Sequence, residues 1–277
     1  MKHFLSLIVA ITISFVSFSQ KKEKIKGSQI ITLTTKQVES FDTIDIADNL
    51  EVFLVPSDTN AVEIEADDNL HDIVVFEIIG ATLKLHTTKD VIKAKKFSVR
   101  INYTNNLKLV IAKDEVVLNA LAELTLDNIT IKNFDRSKSF LNVKSGMFSL
   151  FLNNKSQAEI NSKSDKIVLE LSDTSLLKAL VNTKDFKLNM YQKTRAEIEG
   201  EAKNANIRLD NNASLKAKKL AIDALEITTE MYASCEINVK NQLKIAATGK
   251  SEIEFLGDAN VTLETFKNNA LLRKVEK

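Results

Sequence analysis

A chain of 277 residues with 44% apolar and 27% charged side chains has material for a real core, which excludes a disordered polymer, and a formal charge of +1 gives no electrostatic case for nucleic acid. Trp is absent, Tyr occurs 3 times and Cys once, which weakens an aromatic sugar platform and excludes an internal disulfide. Only 6 Gly and 1 Pro are present, so turns must come from Asn, Asp, Ser and Lys, of which Asn and Asp best tolerate left-handed geometry.

Residues 1–19 read as a signal peptide. Lys2 and His3 give a basic start, residues 4–16 an apolar run, and Ser17-Phe18-Ser19 a small-x-small cleavage site. The run is short for a membrane span, no Cys beside the cut could carry a lipid, and no later run is long enough to span. The mature chain is therefore expected outside the cytoplasm, in the periplasm, at the outer surface or beyond it. Residues 20–40 read as a charged, mobile leader followed by a first strand. Over residues 41–106, strand-like runs recur at close to 10 residues, separated by Ala47-Asp48-Asn49, Pro56-Ser57-Asp58, Asp67-Asp68-Asn69, Gly80 and Asn105-Asn106. This irregular β-section is expected to cap the more regular chain beyond residue 106.

From residue 107 to 266 a ladder takes over. Its strands are Ile129-Thr130-Ile131, Phe148-Ser149-Leu150, Ile167-Val168-Leu169, Phe186-Lys187-Leu188, Ile207-Arg208-Leu209, Leu225-Glu226-Ile227, Leu243-Lys244-Ile245 and Val261-Thr262-Leu263. Their spacings are 19, 19, 19, 21, 18, 18 and 18. A second strand interleaves: Leu141-Asn142-Val143, Ala158-Glu159-Ile160, Ala196-Glu197-Ile198, Leu215-Lys216-Ala217, Cys235-Glu236-Ile237 and Ile253-Glu254-Phe255. Turns are expected at Asn153-Asn154-Lys155, Ser162-Lys163-Ser164-Asp165, Gly200-Glu201-Ala202-Lys203-Asn204, Asp210-Asn211-Asn212 and Gly257-Asp258, with Ser145-Gly146 a further turn. A fixed period near 20 with apolar–polar–apolar units predicts an all-β fold, a parallel β-solenoid with rungs of about 19 residues. Right-handed crossovers dominate parallel strands. An antiparallel sandwich is the alternative, but it has no reason to hold this register. Residues 267–277 are expected to fray or form a short cap.

The segments Phe41-Asp42-Thr43-Ile44-Asp45-Ile46, Leu50-Glu51-Val52-Phe53-Leu54, Val62-Glu63-Ile64-Glu65-Ala66-Asp67-Asp68-Asn69-Leu70 and Leu83-Lys84-Leu85, with the downstream Ala-Glu-Ile rungs, carry a resemblance. The chain resembles the exported head GIN domain family of the Bacteroidetes, whose usual label is auto-transporter adhesin. The resemblance implies a right-handed parallel β-helix-like fold and an envelope or extracellular location. The family carries no established catalytic residues, so none transfers. This chain is poorer in Gly than the family's repeats usually are.

Among groups that carry chemistry, Glu159, Glu197 and Glu236 stand out. Each lies between a small inward residue and an inward Ile, so each points outward at the same rung position, with Glu252 in a similar place. Two rungs separate successive members, about 9.6 Å, slightly beyond the roughly 5–9.5 Å of paired acid–base carboxylates. Ser175 and Ser214 are expected in the intervening rungs. Asp67-Asp68-Asn69 and Asp210-Asn211-Asn212 lack the calcium-loop pattern and read as turns, and His71 and His86 lack metal-ligand spacing. No metal or cofactor is expected. Cys235 falls in the inward column with Ala158 and Ala196, and Tyr103, Tyr191 and Tyr232 are dispersed. The leading expectation is a non-enzymatic exported binding or structural protein facing a cell-surface glycan or envelope protein. A polysaccharide lyase or hydrolase using the three glutamates is the alternative, and a scaffold without ligand a third.

Overall fold

The computed structural model describes residues 22–276, so the signal peptide expected over residues 1–19 lies outside the described residues. The chain runs β1 Lys24–Lys26, β2 Ile31–Gln37, β3 Thr43–Ile46, β4 Glu51–Pro56, β5 Ala61–Asp67, a 3₁₀ helix Asp68–Ile73, β6 Val74–Ile79, β7 Thr82–Thr87, β8 Asp90–Lys93, β9 Phe97–Tyr103 and β10 Leu109–Ala112. It continues with β11 Val117–Asn133, β12 Lys138–Leu152, β13 Gln157–Leu171, β14 Leu176–Met190, β15 Arg195–Leu209, β16 Ser214–Thr229, β17 Ser234–Ala247, β18 Glu252–Leu256, β19 Asn260–Phe266 and β20 Leu271–Lys274. Strands β11 to β17 stack in parallel, each paired with the next, and build a β-solenoid of about 9 turns with ~19-residue rungs.

Strand β13 shows how the sequence makes a rung. Ala158, Ile160, Ser162 and Ser164 are buried, then Ile167, Leu169 and Leu171. The alternation slips by one at Asp165 and Lys166, both exposed. Two successive outward residues bend the strand without breaking its ladder, so one 15-residue strand supplies two legs of the rung. The second legs stack Phe148, Ile167, Phe186, Ala205, Leu225 and Leu243 in one column, and Leu150, Leu169, Leu188, Ile207, Ile227 and Ile245 in the next. Burial of each large member contributes roughly 1.5–3 kcal/mol. In the first legs, large and small side chains alternate: Ala158, Leu177, Ala196 and Leu215 beside Ile160, Ala179, Ile198 and Ala217. Each rung thus places one large and one small residue, and neighbouring rungs interlock.

A turn closes each rung and shows why the chain manages with so little glycine. Asp114, Asp135, Asn154, Asp173, Gln192 and Asn211 hold φ between 55 and 63°. The backbone N–H of Asp135 donates to Asn154 Oδ1 (3.1 Å), and that of Asn154 to Asp173 Oδ2 (3.0 Å). The turn carbonyls accept from the next rung: Lys155 N–H donates to the Asp135 carbonyl and Thr174 N–H to that of Asn154. Asn and Asp tolerate left-handed geometry and also satisfy a turn N–H that would otherwise lack a partner. The ladder begins in the cap, where Asp48 N–H donates to Asp114 Oδ2 (2.9 Å).

At the N-terminal end the stacked legs continue through β10, β3 and β7 on one side and β4 and β9 on the other, all parallel. Then the pattern changes. Strand β5 pairs antiparallel with β9, β2 antiparallel with β5, and β6 antiparallel with β7. The 3₁₀ helix buries Leu70 and Ile73.

Four sequence expectations are revised. First, a rung is one bending strand rather than two strands parted by turns, so Ser162-Lys163-Ser164-Asp165 lies inside β13, Ser145-Gly146 inside β12 and Gly200-Glu201-Ala202-Lys203-Asn204 inside β15. Second, the fifth ladder unit is Ala205-Asn206-Ile207, in register with Phe186-Lys187-Leu188, and not Ile207-Arg208-Leu209. Small Ala205 hid the first position, and the next apolar pair fits the same pattern two residues later. Third, Ser139-Phe140-Leu141, not Leu141-Asn142-Val143, aligns with Ala158-Glu159-Ile160. Fourth, part of the expected mobile leader is strand β1, paired with β8, and part of the tail is β20, paired with β18.

Candidate functional site

The three glutamates share one outward column, which runs Glu159, Lys178, Glu197, Lys216, Glu236, Glu254 and Arg273. Lys178 and Lys216 fill the intervening rungs in place of the expected Ser175 and Ser214. Ser175 is buried after a turn, and Ser214 pairs with Arg195 two residues before the column. Glu254, not Glu252, continues the row, because Glu252 pairs with Ser234. Lys178 Nζ lies 3.6 Å from Glu159 Oε1. Lys218 Nζ bridges Glu236 (3.0 Å) and Glu254 (3.6 Å), and its hydrogen bond to Glu236 raises its pKa. Glu159 and Glu197 stand about 9.6 Å apart with a cation between them, too far for a nucleophile with its acid and without a matched base. A shallow 410 Å³ depression covers this face, rimmed by Gln157, Leu176, Arg195 and Ser214.

The larger concavity lies at the corner between the legs, with a volume of 690 Å³. One inward column passes beneath it: Leu126, Ser145, Ser164, Thr183, Ala202, Ile222 and Val239. It is apolar at both ends and carries hydroxyls in the three rungs under the cleft. Ser145 Oγ and Ser164 Oγ are 2.9 Å apart, Ser164 Oγ is 3.2 Å from Ser162 Oγ, and Thr183 Oγ1 donates to the Asp165 carbonyl (2.9 Å). Gly146 leaves the corner open, where a side chain would meet the Asp127 carbonyl at 3.0 Å. Lys144 and Lys163, adjacent in register, flank the opening. Lys184 Nζ binds Asp165 Oδ1 at 2.9 Å, and that hydrogen bond raises the lysine pKa. Sequence reading missed this site because Ser and Asp at the corner resemble turn formers. The available signal was three consecutive hydroxyls in a column otherwise filled by Leu, Ala, Ile and Val.

The remaining candidates have structural roles. Cys235 is buried between Leu215 and Ile253, and desolvation raises its thiol pKa well above the ordinary value. The buried Asp67 carboxylate accepts N–H bonds from Gln29 (2.9 Å), Lys95 (3.1 Å) and Lys96 (3.0 Å), latching the segment before β2 to the segment between β8 and β9. Burial opposes its ionisation, but these bonds outweigh burial and lower its pKa. Asn69 joins the latch through Ser28 N–H (2.9 Å) and the Lys26 carbonyl (2.9 Å). His71 contacts Thr32 Oγ1 at 2.8 Å, and His86 lies on β7. Asn211 holds a rung turn with φ 61°. Desolvation pushes the buried Tyr103 hydroxyl up to about 12. Among the described residues no three His, Cys, Asp or Glu side chains form a group that could hold a metal ion.

The family described as "Putative auto-transporter adhesin, head GIN domain" matches residues 40–259. The chain belongs to this family. The match takes in both the cap and the rungs that carry the glutamate column and the corner cleft of this head GIN chain. Among solved structures, a "putative adhesin" from Parabacteroides distasonis is similar at 20% identity and a TM-score of 0.67, covering 91% of this chain and 100% of that one. A second from Parabacteroides merdae shows 19% identity and a TM-score of 0.66 over 91% and 99%. A "putative lipid binding protein" from Parabacteroides distasonis shows 13% identity and a TM-score of 0.60 over 91% and 100%. At these identities the likeness is one of fold. No curated protein matches the chain. No helix among the described residues is long and apolar enough to cross a membrane.

Proposed function

We propose that this chain is an exported, non-enzymatic, adhesin-like binding protein that presents its solenoid to a cell-surface glycan or envelope protein, with the corner cleft as the glycan-contacting site. The observation that carries the proposal is the hydroxyl interruption of an apolar column directly under the 690 Å³ cleft. Ser145 and Ser164 offer donors and acceptors, Thr183, whose proton goes to the Asp165 carbonyl, offers acceptor lone pairs, the lysines add donors, and Asp127 and Asp165 add acceptors. That mixture suits the vicinal hydroxyls of a saccharide, and the volume lies in the range of roughly 300–1,000 Å³ typical of small-ligand sites. The family description and the apolar run in residues 4–16 support export. The alternating charges of the glutamate column give no support to the hydrolase or lyase alternative.

The test is a glycan array and an envelope pull-down with the native protein and a Ser164→Ala, Thr183→Val variant. We expect binding that falls about tenfold in the variant, the loss of one or two hydrogen bonds at roughly 0.5–1.5 kcal/mol each. Silence of the native protein in both assays, or unchanged binding by the variant, would remove the proposal. Turnover of an acidic polysaccharide that disappears in Glu197→Gln would establish the enzyme instead.

A further inference from the structure

The glutamate column has a second property, independent of the cleft: it is self-complementary. Through its middle rungs it reads Glu159, Lys178, Glu197, Lys216, so its order reversed is its own charge complement. Two exposed leucines flank Lys178 on the same strand, Leu176 and Leu180, at 38% and 50% exposure. Large aliphatic side chains standing outward in the middle of a charged sheet face are the feature that a solvated face does not require.

We propose that this face pairs with a second copy of the chain. The two solenoid axes run in opposite directions, and a two-fold axis passes along the strands between Lys178 and Glu197. Lys178 then faces Glu197 of the second copy, and Glu159 faces its Lys216, each pair occurring twice by symmetry. Leu176 meets the aliphatic stem of Arg195, and Gln157 meets Ser214. One rung further out, Phe140 faces Glu236, so no like charges oppose. The charges also select this register. A slide of one rung toward the C-terminus sets Glu159 against Glu236 and Lys178 against Lys216, and a slide the other way sets Glu159 against Glu197. The first leg of β13, residues 157–164, is about 26 Å wide, and strands β11 to β17 stack over about 29 Å, a face of roughly 750 Å². A standard interface needs about 800 Å² per partner, so the face is of the right size. Lys163 stands at the far end of this leg, where it also flanks the corner cleft, and Asp165 lies beyond it; the charge pairs sit on the other side of the leg, so the dimer does not depend on the cleft's ligand.

The experiment is sedimentation of the purified protein at rising concentration in about 0.05 M and about 0.5 M salt, which spans weak to strong screening. We expect a dimer at low salt that loosens by at least tenfold at high salt, as charge-complementary pairing requires. Two variants make the decisive comparison. Lys178→Glu with Lys216→Glu makes the four middle rungs all acidic, and Glu159→Lys with Glu197→Lys makes them all basic. Each alone should be monomeric, and an equimolar mixture should recover the dimer. The single Lys178→Glu change, the mildest of these, should weaken self-association about tenfold while leaving the β-sheet circular dichroism unchanged. A native protein that stays monomeric up to about 100 μM, well above the affinity of a specific interface, overturns the proposal. So does a mixture that stays monomeric, or a Lys178→Glu protein that associates as the native one does.

Discussion

Replacing Gly200 by Ala should be among the most damaging single-methyl changes in the chain. Gly200 lies in β15 with φ +113°, where a side chain is strained whatever the space. An added Cβ would stand 2.0 Å from the Val181 carbonyl oxygen and 3.0 Å from its carbon, backbone atoms of the preceding rung. A flexible side chain could swing away, but the rung cannot without opening the ladder between β14 and β15, where Val181 pairs with Gly200. Backbone strain of roughly 1–3 kcal/mol and one or two lost ladder bonds at roughly 0.5–1.5 kcal/mol each give about 1.5–6 kcal/mol. Gly80 is the control: its φ is +63° but an added Cβ meets nothing within 4 Å, so Ala there costs only the left-handed penalty of about 1–2 kcal/mol. Urea unfolding of both variants, read by circular dichroism and by hydrogen exchange, measures the contrast. Exchange is included because a stacked repeat can open locally instead of unfolding in one step. If Gly200→Ala costs no more than Gly80→Ala, the close approach of the two rungs is not what holds Gly200 in place.

Buried groups give three further outcomes. Asp67 has a folded pKa below the ordinary 3.8, so its contribution to stability is complete above pH 3.8 and is lost as the pH falls through the folded value. The stability gap between the native protein and Asp67→Asn should therefore be largest at neutral pH and close on acidification. A gap independent of pH in urea titrations contradicts the latch. Cys235 is buried and its thiol pKa is raised, so a thiol reagent should label it only at the unfolding rate; rapid labelling of the folded protein would place it elsewhere. Leu188, fully buried between Leu169 and Ile207, should cost about 2–5 kcal/mol on truncation to Ala, measured by urea unfolding.

The rung period was legible because burial on a strand leaves a local mark. Ile167-Val168-Leu169 and its counterparts show their inward residues wherever they occur. Legibility failed where two placements bury equally well. Ile207-Arg208-Leu209 satisfies the same alternation as Ala205-Asn206-Ile207, and only hydrogen bonding to Phe186-Lys187-Leu188 chooses between them. The corner cleft was hidden for a related reason. Ser162-Lys163-Ser164-Asp165 has the composition of a turn, yet the ladders to β12 and β14 hold it within a continuous strand. The placement of Glu159, Glu197 and Glu236 was readable, whereas the lysines between them depend on a register that no single rung contains.

By itself the sequence determined the strand period, the inward and outward faces and the Asn- and Asp-built turns, because each depends on a residue's own burial or backbone preference. The tertiary structure decided which residues stack. It turned separate glutamates into an alternating charge column, collected Ser145, Ser164 and Thr183 beneath one cleft, and set the Gly200 backbone against Val181. These relations join residues about 19 apart, and they exist only once neighbouring rungs fix each other's register through their shared hydrogen bonds.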